Sequence, residues 1–415
     1  MVNYPKKIVQ LKDFFVKIRD MIIKFNKEQV FPLNNPIKVM HVLRPVMGGM
    51  RQHLIGLVSL TIKEQVETIV VCAKGEGGFK PEELPGVKIF PLDIKGDFSL
   101  HSDYQIARAI LKIALAEKVN IIHAHGIKAG LLCLWSCLNR RNRFAVICTF
   151  HNQFRKSTHV LKNAINKLLV VILAKSVNHI ITVSQAIRKE LVEYLNVYPL
   201  KITCIYNGID LERFSTLLKS DCLHREYAIP KYSVLIGTVA RLIPQKGVST
   251  LIKAAAVLSQ EYPDLYFIII GDGPFRESLE LEAAGAGLKK RMFFTGFRKN
   301  VPELLSDLDI FALPTLEEGF SIVTLEAMAV KKPVVVSRVG GLPEVVSAES
   351  GIIVTPNDSE ALETALRDLI CNPAQRIIMG NAAFDRVNQK FSLNRMTEQH
   401  LNLYHGLAGN LKKNQ

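Results

Sequence analysis

Long apolar runs are scarce in this 415-residue chain. No stretch of about 18 residues is apolar without a charge, the length at which a membrane-spanning helix becomes plausible; the longest candidate is LLVVILA at 168–174. The first residues interleave lysines with apolar side chains and lack a small-residue cleavage site, so no signal peptide is expected. We therefore predict no membrane span and a cytoplasmic location.

Cysteine is also sparse, and its pattern excludes a disulfide framework. The seven cysteines are odd in number, scattered, and mostly inside apolar runs. Free buried thiols in a reducing compartment explain this pattern best. Cys133 and Cys137 stand close together, but they lack the further ligands of a zinc site.

Acidic residues are few in the first half of the chain. Residues 1–205 hold 30 Lys and Arg against 14 Asp and Glu, whereas residues 206–415 hold 23 against 24. A basic half indicates an anionic partner, such as a phospholipid leaflet, a lipid-phosphate acceptor or nucleic acid. No basic run with interleaved aromatics, helix-turn-helix or zinc-finger pattern occurs, so no nucleic-acid partner is predicted.

Residues 1–35 are predicted to form a basic extension ahead of the first strand. Apolar residues recur there at helical spacing, with lysines elsewhere on the helix, which describes an amphipathic helix; the stripe is Ile8, Leu11, Phe15, Ile18 and Ile22. Such a helix either lies on an anionic membrane, at its inner face, or packs on the protein. The sequence leaves both possibilities open.

Buried-strand and amphipathic-helix patterns alternate through the remaining chain. This alternation predicts an α/β protein with parallel, doubly wound sheets. In the first half the predicted strands are 37–43, 68–72, 87–91, 120–124, 146–150, 180–183 and 202–206. A turn at Tyr206–Asp210 and a polar stretch to about residue 232 mark the crossing to a second unit.

The stretch 313–337 predicts a strand, a loop, a helix and a second strand. A helix start presents free backbone N–H groups to an anion; here the expected donors are Gly319, Phe320, Ser321 and Ile322. Glu318 and Glu326 flank that start. Carboxylates would repel a phosphate but accept hydrogen bonds from neutral hydroxyls on either side of it. A phosphate flanked by sugar hydroxyls is a nucleotide sugar, although a solvated helix start is the ordinary alternative.

Three glycine-containing loops follow other predicted strands. Arg241 and Lys246 lie on one of them ahead of a helix, and two such cations suit a diphosphate. Glycine pairs, which let backbone approach a ligand closely, are Gly48 with Gly49 and Gly271 with Gly273. Read alone, each is also compatible with an ordinary surface loop.

Histidines close two strands of the first half, at His123–Gly126 and His151–Asn152. The carboxyl ends of parallel strands are where such sheets bind ligands, although an isolated histidine is usually structural. Asp307 and Asp309 form a D-x-D pair, but a strand follows directly and no partners share one face. We therefore predict no metal and no cofactor.

Five blocks in order make the sequence resemble the retaining GT4-type glycosyltransferases: GG, HAHG with TFHN, ARLIPQKG, GDGP, and Glu318-x7-Glu326. The resemblance spans about residues 37–405 and departs from the family pattern at Ala240, where the family has glycine. It implies the GT-B fold, in which two Rossmann-like domains face each other across a cleft.

The resemblance also implies roles for particular residues. Catalysis would fall to His151, Glu318, Arg241 and Lys246. The donor would contact Gly48, Gly49, Arg241, Lys246, Gly271, Gly273, Phe297, Glu318, Gly319, Phe320, Ser321 and Glu326, and the acceptor side would include His125, Lys128 and Asn152.

The expected domains are a 1–35 extension, an acceptor domain at 36–206, a donor domain at 207–392, and a terminal helix at 393–415 that returns to the first domain. The implied function is metal-independent, retaining transfer of a hexose-type sugar from a nucleoside-diphosphate sugar to a glycan, lipid-linked or small-molecule acceptor. Alternatives are a same-fold epimerase or glycan phosphorylase, or a non-catalytic module that binds sugar nucleotides or membranes.

Overall fold

The computed structural model describes residues 37–97, 99–137, 144–153, 160–215, 217 and 220–413. These residues form two parallel sheets, each flanked by helices, as the alternating pattern predicts. The basic extension at 1–35 lies outside the described residues. Among the described helices, none combines the length and apolar character needed to cross a bilayer.

The first sheet has seven parallel strands in the order β3-β2-β1-β4-β5-β6-β7. Its strands are β1 (Lys38–Leu43), β2 (Glu67–Ala73), β3 (Lys88–Leu92), β4 (Ile121–His125), β5 (Ala145–Phe150), β6 (His179–Thr182) and β7 (Ile202–Cys204). Its helices are α1 (Gly49–Lys63), α2 (Leu100–Ala116), α3 (Ile127–Cys137), α4 (Val160–Ser176) and α5 (Gln185–Lys189). The order reverses between β1 and β4, which opens a crevice at their carboxyl ends.

Central strands of this sheet are nearly continuous apolar runs because helices cover both faces. Every residue of β4 and β5 is buried, including the two histidines of β4. The helix after β6 is a short α-helix, α5, continued by a π-helical turn at Glu190–Tyr194.

The second sheet has six parallel strands in the order β10-β9-β8-β11-β12-β13. Its strands are β8 (Val234–Val239), β9 (Leu265–Ile270), β10 (Met292–Gly296), β11 (Ile310–Leu313), β12 (Val334–Ser337) and β13 (Gly351–Val354). Around it lie α6 (Glu212–Ser215), α7 (Cys222–Glu226), α8 (Val248–Glu261), α9 (Arg276–Gly285), α10 (Val301–Asp307), α11 (Ile322–Ala329), α12 (Leu342–Val345), α13 (Ser359–Cys371) and α14 (Pro373–Lys390). The short helices α6 and α7 occupy the stretch that the sequence suggests is an irregular polar crossing.

The chain crosses back to the first sheet through its last helix, α15 (Leu393–Lys413). Ile209 binds this crossing by two backbone hydrogen bonds, donating to Phe391 O at 3.0 Å and accepting from Leu393 N at 2.9 Å. Further along, the Tyr404 hydroxyl lies 2.7 Å from Nδ1 of His123 on β4. The last helix therefore contacts the core of the first half of the chain.

All seven cysteines fall in the described part of the chain and are free thiols. Cys72, Cys133, Cys137 and Cys148 are buried, whereas Cys371 is exposed on the second sheet's side. Burial raises the pKa of the Cys133 and Cys148 thiols, so both stay protonated and unreactive.

Candidate active site between the two sheets

Helix α11 begins at the carboxyl end of β11, facing the first sheet. Ser321 is its N-cap, and the Ser321 hydroxyl accepts a hydrogen bond from Thr324 N at 3.2 Å. Because the helix starts at Ile322, only that member of the expected donor set belongs to its first turn. Among the described residues, the N–H groups of Ile322 and Val323 in this first turn have no partner within the helix, so Val323 adds to the expected donors.

Lys246 and Glu318 meet at this helix start. Nζ of Lys246 lies 2.8 Å from a carboxylate oxygen of Glu318, and both side chains are only partly exposed, at 24% and 14%. Two hydrogen bonds hold the loops together beneath them: Leu316 N and Thr315 Oγ1 each donate to Gln245 O at 2.8 Å. The structure therefore brings into direct contact a cation and an acid that were both expected to contact the donor.

Arg241 lies on the same loop, directly after Ala240, and is exposed. Within the described part of the chain its guanidinium has no ion-pair partner, so it is available to a ligand. Leu242 N donates to Asp272 O at 2.9 Å, which joins the loop to the Gly271–Gly273 turn. Gly271 has φ 133° and a Cβ there would lie 2.0 Å from Ala240 O, so only glycine fits.

Backbone of the first domain reaches the helix start from the other side of the cleft. A Cβ on Gly319 would lie 2.0 Å from His151 O, and one on Gly49 would lie 3.6 Å from the Ile322 side chain. The glycine loop after β1 and the strand end carrying His151 thus both touch the start of α11. Gly48, with φ 64°, has open space around its Cβ position.

His151 is nearly buried, at 9% exposure, and its Nε2 lies 3.2 Å from Nδ1 of His125. Burial lowers the pKa of His151 to about 3, with smaller contributions from His400 and Arg44. The imidazole is therefore neutral at physiological pH. It can donate or accept a hydrogen bond but cannot supply a positive charge.

Two residues expected on the acceptor side do not reach the cleft surface. Lys128 is buried in α3 with its ammonium 3.2 Å from an Asp103 carboxylate oxygen, since a buried cation requires a partner. His125 is fully buried behind His151. Asn152 is exposed next to Gly319, and Phe297 is 65% exposed beyond β10.

Glu326 lies in the second turn of α11, away from Glu318. Burial raises the pKa of Glu326 to about 7, and Arg213 opposes the shift. Part of Glu326 remains exposed to solvent. The carboxyl is thus poised between its two protonation states near neutral pH, and hydroxyl donors would favour the ionised one.

The D-x-D aspartates serve the protein's own backbone. Asp307 is fully buried, and its carboxylate accepts from the N–H groups of Ser220, Asp221 and Leu223 at 2.7–3.0 Å. Asp309 accepts from Leu235 N at 2.8 Å. These carboxylates anchor the segment before α7 and the start of β8.

One contact between the two domains was not predicted from the sequence. The Glu344 carboxylate of the second domain accepts hydrogen bonds from Gln185 N at 2.7 Å and Ala186 N at 2.8 Å, at the start of α5 in the first domain. The Glu344 carboxylate and the Ser184 hydroxyl, which accepts from Ile187 N, together cap the start of α5. An acid in a G-G-L-P-E turn gives no sequence signal for a partner this distant.

Comparisons with known proteins cover both halves of the chain. A model described as "Glycosyltransferase Family 4" matches residues 47–213, and one described as "Glycosyl transferases group 1" matches residues 220–386. The Escherichia coli UDP-Gal:alpha-D-GlcNAc-diphosphoundecaprenol alpha-1,3-galactosyltransferase is 28% identical over 345 residues, which is 80% of this chain and 88% of that protein. A D-inositol 3-phosphate glycosyltransferase of Corynebacterium glutamicum is 26% identical over 88% of this chain and 93% of its own length.

Solved structures show the same fold. A glycosyltransferase from Rickettsia africae superposes with a TM-score of 0.77 at 20% identity, covering 91% of this chain and all of its own. Anabaena HepE in complex with UDP-glucose has a TM-score of 0.75 at 22% identity, covering 91% of this chain and all of its own.

Proposed function

Because the chain belongs to the GT4-type glycosyltransferases with a GT-B fold, we propose that it transfers a hexose-type sugar from a nucleoside-diphosphate sugar to a glycan, lipid-linked or small-molecule acceptor. The product would be a cell-surface polysaccharide or glycolipid. The observation that carries this proposal is the meeting of Lys246 with Glu318 at the start of α11, against the backbone of His151.

The donor diphosphate would take the place that Glu318 now holds beside Lys246. Arg241 would provide a second, bidentate contact, and the N–H groups of Ile322 and Val323 would complete the anion site. Released from Lys246, Glu318 would accept hydrogen bonds from sugar hydroxyls. Glu326 would accept from the ribose diol.

These fixed positive groups would act on the charge that develops as the sugar leaves its diphosphate. Stabilising that charge lowers the barrier most when the donors are already in place. We propose same-face attack: the bond between the anomeric carbon and the diphosphate oxygen breaks, the acceptor oxygen bonds that carbon, and the leaving phosphate takes the acceptor's proton. Configuration is then retained with no carboxylate nucleophile and no metal.

Relatives suggest the first substrates to test. The Escherichia coli relative is named for UDP-galactose and a diphosphoundecaprenol-linked acceptor, and a Mycolicibacterium smegmatis relative for GDP-mannose and a phosphatidylinositol mannoside. We propose a lipid-linked acceptor. The excess of Lys and Arg in residues 1–205 supports peripheral contact with the anionic membrane that would hold it.

The proposal is tested in two stages. A thermal-shift panel of nucleoside diphosphates and their sugars identifies the donor, since a bound ligand raises the melting temperature by mass action. The selected donor is then incubated with and without acceptor lipid, and product, nucleoside diphosphate and anomeric configuration are followed. Acceptor-dependent release with retention supports the proposal.

Other outcomes support the rival functions. An epimerase would convert the donor with no acceptor present, and a phosphorylase would require inorganic phosphate. A non-catalytic module would bind a nucleotide sugar without releasing the nucleoside diphosphate. Addition of a chelator is expected to leave the transfer rate unchanged.

A further inference from the structure

A group of six buried histidines, the histidine cluster, lies behind the cleft in the first domain. It draws on two strands, a strand end and two helices; its members are His41, His53, His123, His125, His151 and His400. Ring centroids of neighbouring members are 4.4–5.9 Å apart. His151, at the edge of this cluster, is the member that reaches the cleft.

Three members form a line of hydrogen bonds. Nδ1 of His41 lies 3.0 Å from Nε2 of His125, and Nδ1 of His125 lies 3.2 Å from Nε2 of His151. The two ring pairs are nearly parallel, at 27° and 26°, with centroids 5.3 and 5.4 Å apart. Each centroid distance exceeds its N···N distance by about two ring radii, so the rings meet edge to edge with their nitrogens aimed at each other.

This geometry favours shared protons over a shared metal ion. Two groups of three histidines, both including His125, have ligand atoms within 4.8 Å of one another. A metal ion with tetrahedral coordination requires histidine lone pairs that converge on one point, which would lie to the side of this line of rings. In the His41–His125–His151 line the lone pairs instead point along the N···N directions, where an N–H···N hydrogen bond forms.

The buried end of the line sets its direction. A neutral imidazole has one N–H donor and one acceptor nitrogen. The N–H groups of the line therefore all donate outward, from His41 toward His151, or all donate inward, from His151 toward His41. Nε2 of His41 is buried and has no hydrogen-bond partner among the described residues. An inward line would leave an orphaned N–H at that nitrogen, whereas an outward line leaves only an unused acceptor, which proteins tolerate better.

We propose that His41 and His125 are positioning residues that hold His151 in its Nδ1–H tautomer, so that His151 donates a hydrogen bond to the transferred sugar or the acceptor. His41 Nδ1–H donates to His125, His125 Nδ1–H donates to His151 Nε2, and the remaining donor of His151 is Nδ1–H. This inference rests on the proposed glycosyl transfer for its ligand. The tautomer itself does not depend on that function.

The neutral state that the line needs is maintained by burial. Burial lowers the pKa of His41 to about 3 and that of His125 well below its usual value, with neighbouring histidines adding to both shifts. All three rings therefore keep a single proton at neutral pH. Transfer should accordingly show no ionisation of His151 across the neutral range.

The first test reads the tautomer directly in the whole protein. Nitrogen-15 NMR of histidine-labelled protein distinguishes protonated from bare ring nitrogens, and His151→Gln identifies the His151 signals by their loss. The expected spectrum shows Nδ1–H and a bare Nε2 at His151. A protonated Nε2 overturns the proposal, as does stoichiometric zinc in the purified protein that His125→Leu removes.

The second test separates positioning from packing. His125→Asn keeps an N–H donor close to the Nδ1 position, whereas His125→Leu keeps volume without it. We expect His125→Leu to lower kcat about 10- to 100-fold with little change in donor KM, and His125→Asn to recover most of that loss. His179→Leu, at an imidazole on β6 that hydrogen-bonds Thr203 outside the cluster, is the matched control. Equal losses in both His125 variants contradict the proposal.

A failure of the proposed function looks different. If wild-type protein transfers no sugar with any donor, then glycosyl transfer fails while the NMR spectrum still decides the tautomer. If wild type transfers sugar but His151 carries its proton on Nε2, only the positioning inference fails.

Discussion

Lys246 and Glu318, 72 residues apart in the sequence, form an ion pair of 2.8 Å at the start of α11. Neither side chain is deeply buried, so the pair can open when a competing anion arrives. The position of the pair suggests that a ligand phosphate replaces the carboxylate beside Lys246.

Replacing Lys246 by alanine is expected to remove donor stabilisation without unfolding the protein. We predict a loss of about 10²- to 10³-fold in kcat/KM, the range found when one preorganised electrostatic donor is deleted. Glu318→Ala should lower kcat/KM by a similar factor. Steady-state transfer assays measure the rates and thermal melts check the fold; Lys253→Ala, an exposed lysine on α8, is the control. Wild-type rates in either variant would refute the assignment.

Glu326 should make donor binding depend on pH. Hydroxyl groups that donate to its carboxylate favour the ionised form, so binding lowers its pKa from about 7 and releases a proton. Affinity should therefore fall below neutral pH. Calorimetry at about pH 6 in two buffers of different ionisation enthalpy should report release of most of one proton, and Glu326→Gln should abolish it. Unchanged proton release in Glu326→Gln would exclude this role.

The Glu326 carboxyl also makes the stability of the unliganded protein depend on pH. Its folded pKa of about 7 lies above the ordinary 4.5, so protonation favours folding below pH 4.5 and this contribution is lost as the pH rises through about 7. Glu326→Gln should flatten that part of the stability profile. Thermal melts of both proteins between these pH values provide the comparison, and a profile that keeps its slope in the variant would argue against it.

Gly319→Ala tests the contact between the domains. The backbone at Gly319 is not left-handed, so alanine is strained only by its Cβ, which would lie 2.0 Å from His151 O. Separating these segments should lower kcat/KM at least about tenfold, because small misplacements at a reacting centre are costly. Gly285→Ala, whose Cβ has open space, should leave transfer unchanged. Full activity in Gly319→Ala would show that the contact is dispensable.

Asp307→Asn should weaken the fold. An amide cannot accept all the hydrogen bonds that the carboxylate receives, and we expect a loss of about 2 kcal/mol, or roughly 4–8 °C in melting temperature. Burial alone would raise the pKa of Asp307, but hydrogen bonds from Cys222, Leu223 and Ser220 lower it on balance. Its contribution to stability is thus present above the ordinary value of 3.8 and is lost as the pH falls through the folded pKa.

The Asp307→Asn variant is compared with wild type by its melting temperature, measured with and without a divalent metal. Asp368→Asn, an exposed acid on α13, should melt like wild type. A metal-dependent loss of activity in Asp307→Asn with no change in melting would instead indicate a metal ligand.

Much of the architecture could be predicted because parallel strands covered on both faces appear as apolar runs. Their carboxyl ends share one edge of each sheet, which is why loops as distant as those of Lys246 and Glu318 could be expected to meet. The first residue of an element is set by its cap: the Ser321 hydroxyl accepts from Thr324 N, and α11 starts at Ile322.

The remaining features depend on contacts that no local pattern encodes. Glu344 caps a helix 159 residues away. His41 and His400 join His125 only because β1 and α15 pack around β4. Buried polar groups are fixed by the partners that tertiary structure provides, so the strand-end motifs indicated His125 and His151 but gave no signal that His41 continues their line.

The most direct measurement is a crystal structure with the nucleoside diphosphate that most stabilises the protein in the thermal-shift panel. We predict a phosphate oxygen within hydrogen-bond distance of Lys246 Nζ and of the Ile322 N–H, with the Glu318 carboxylate displaced from Lys246. A nucleotide bound elsewhere, with the Lys246–Glu318 pair still closed, would contradict the proposed donor site.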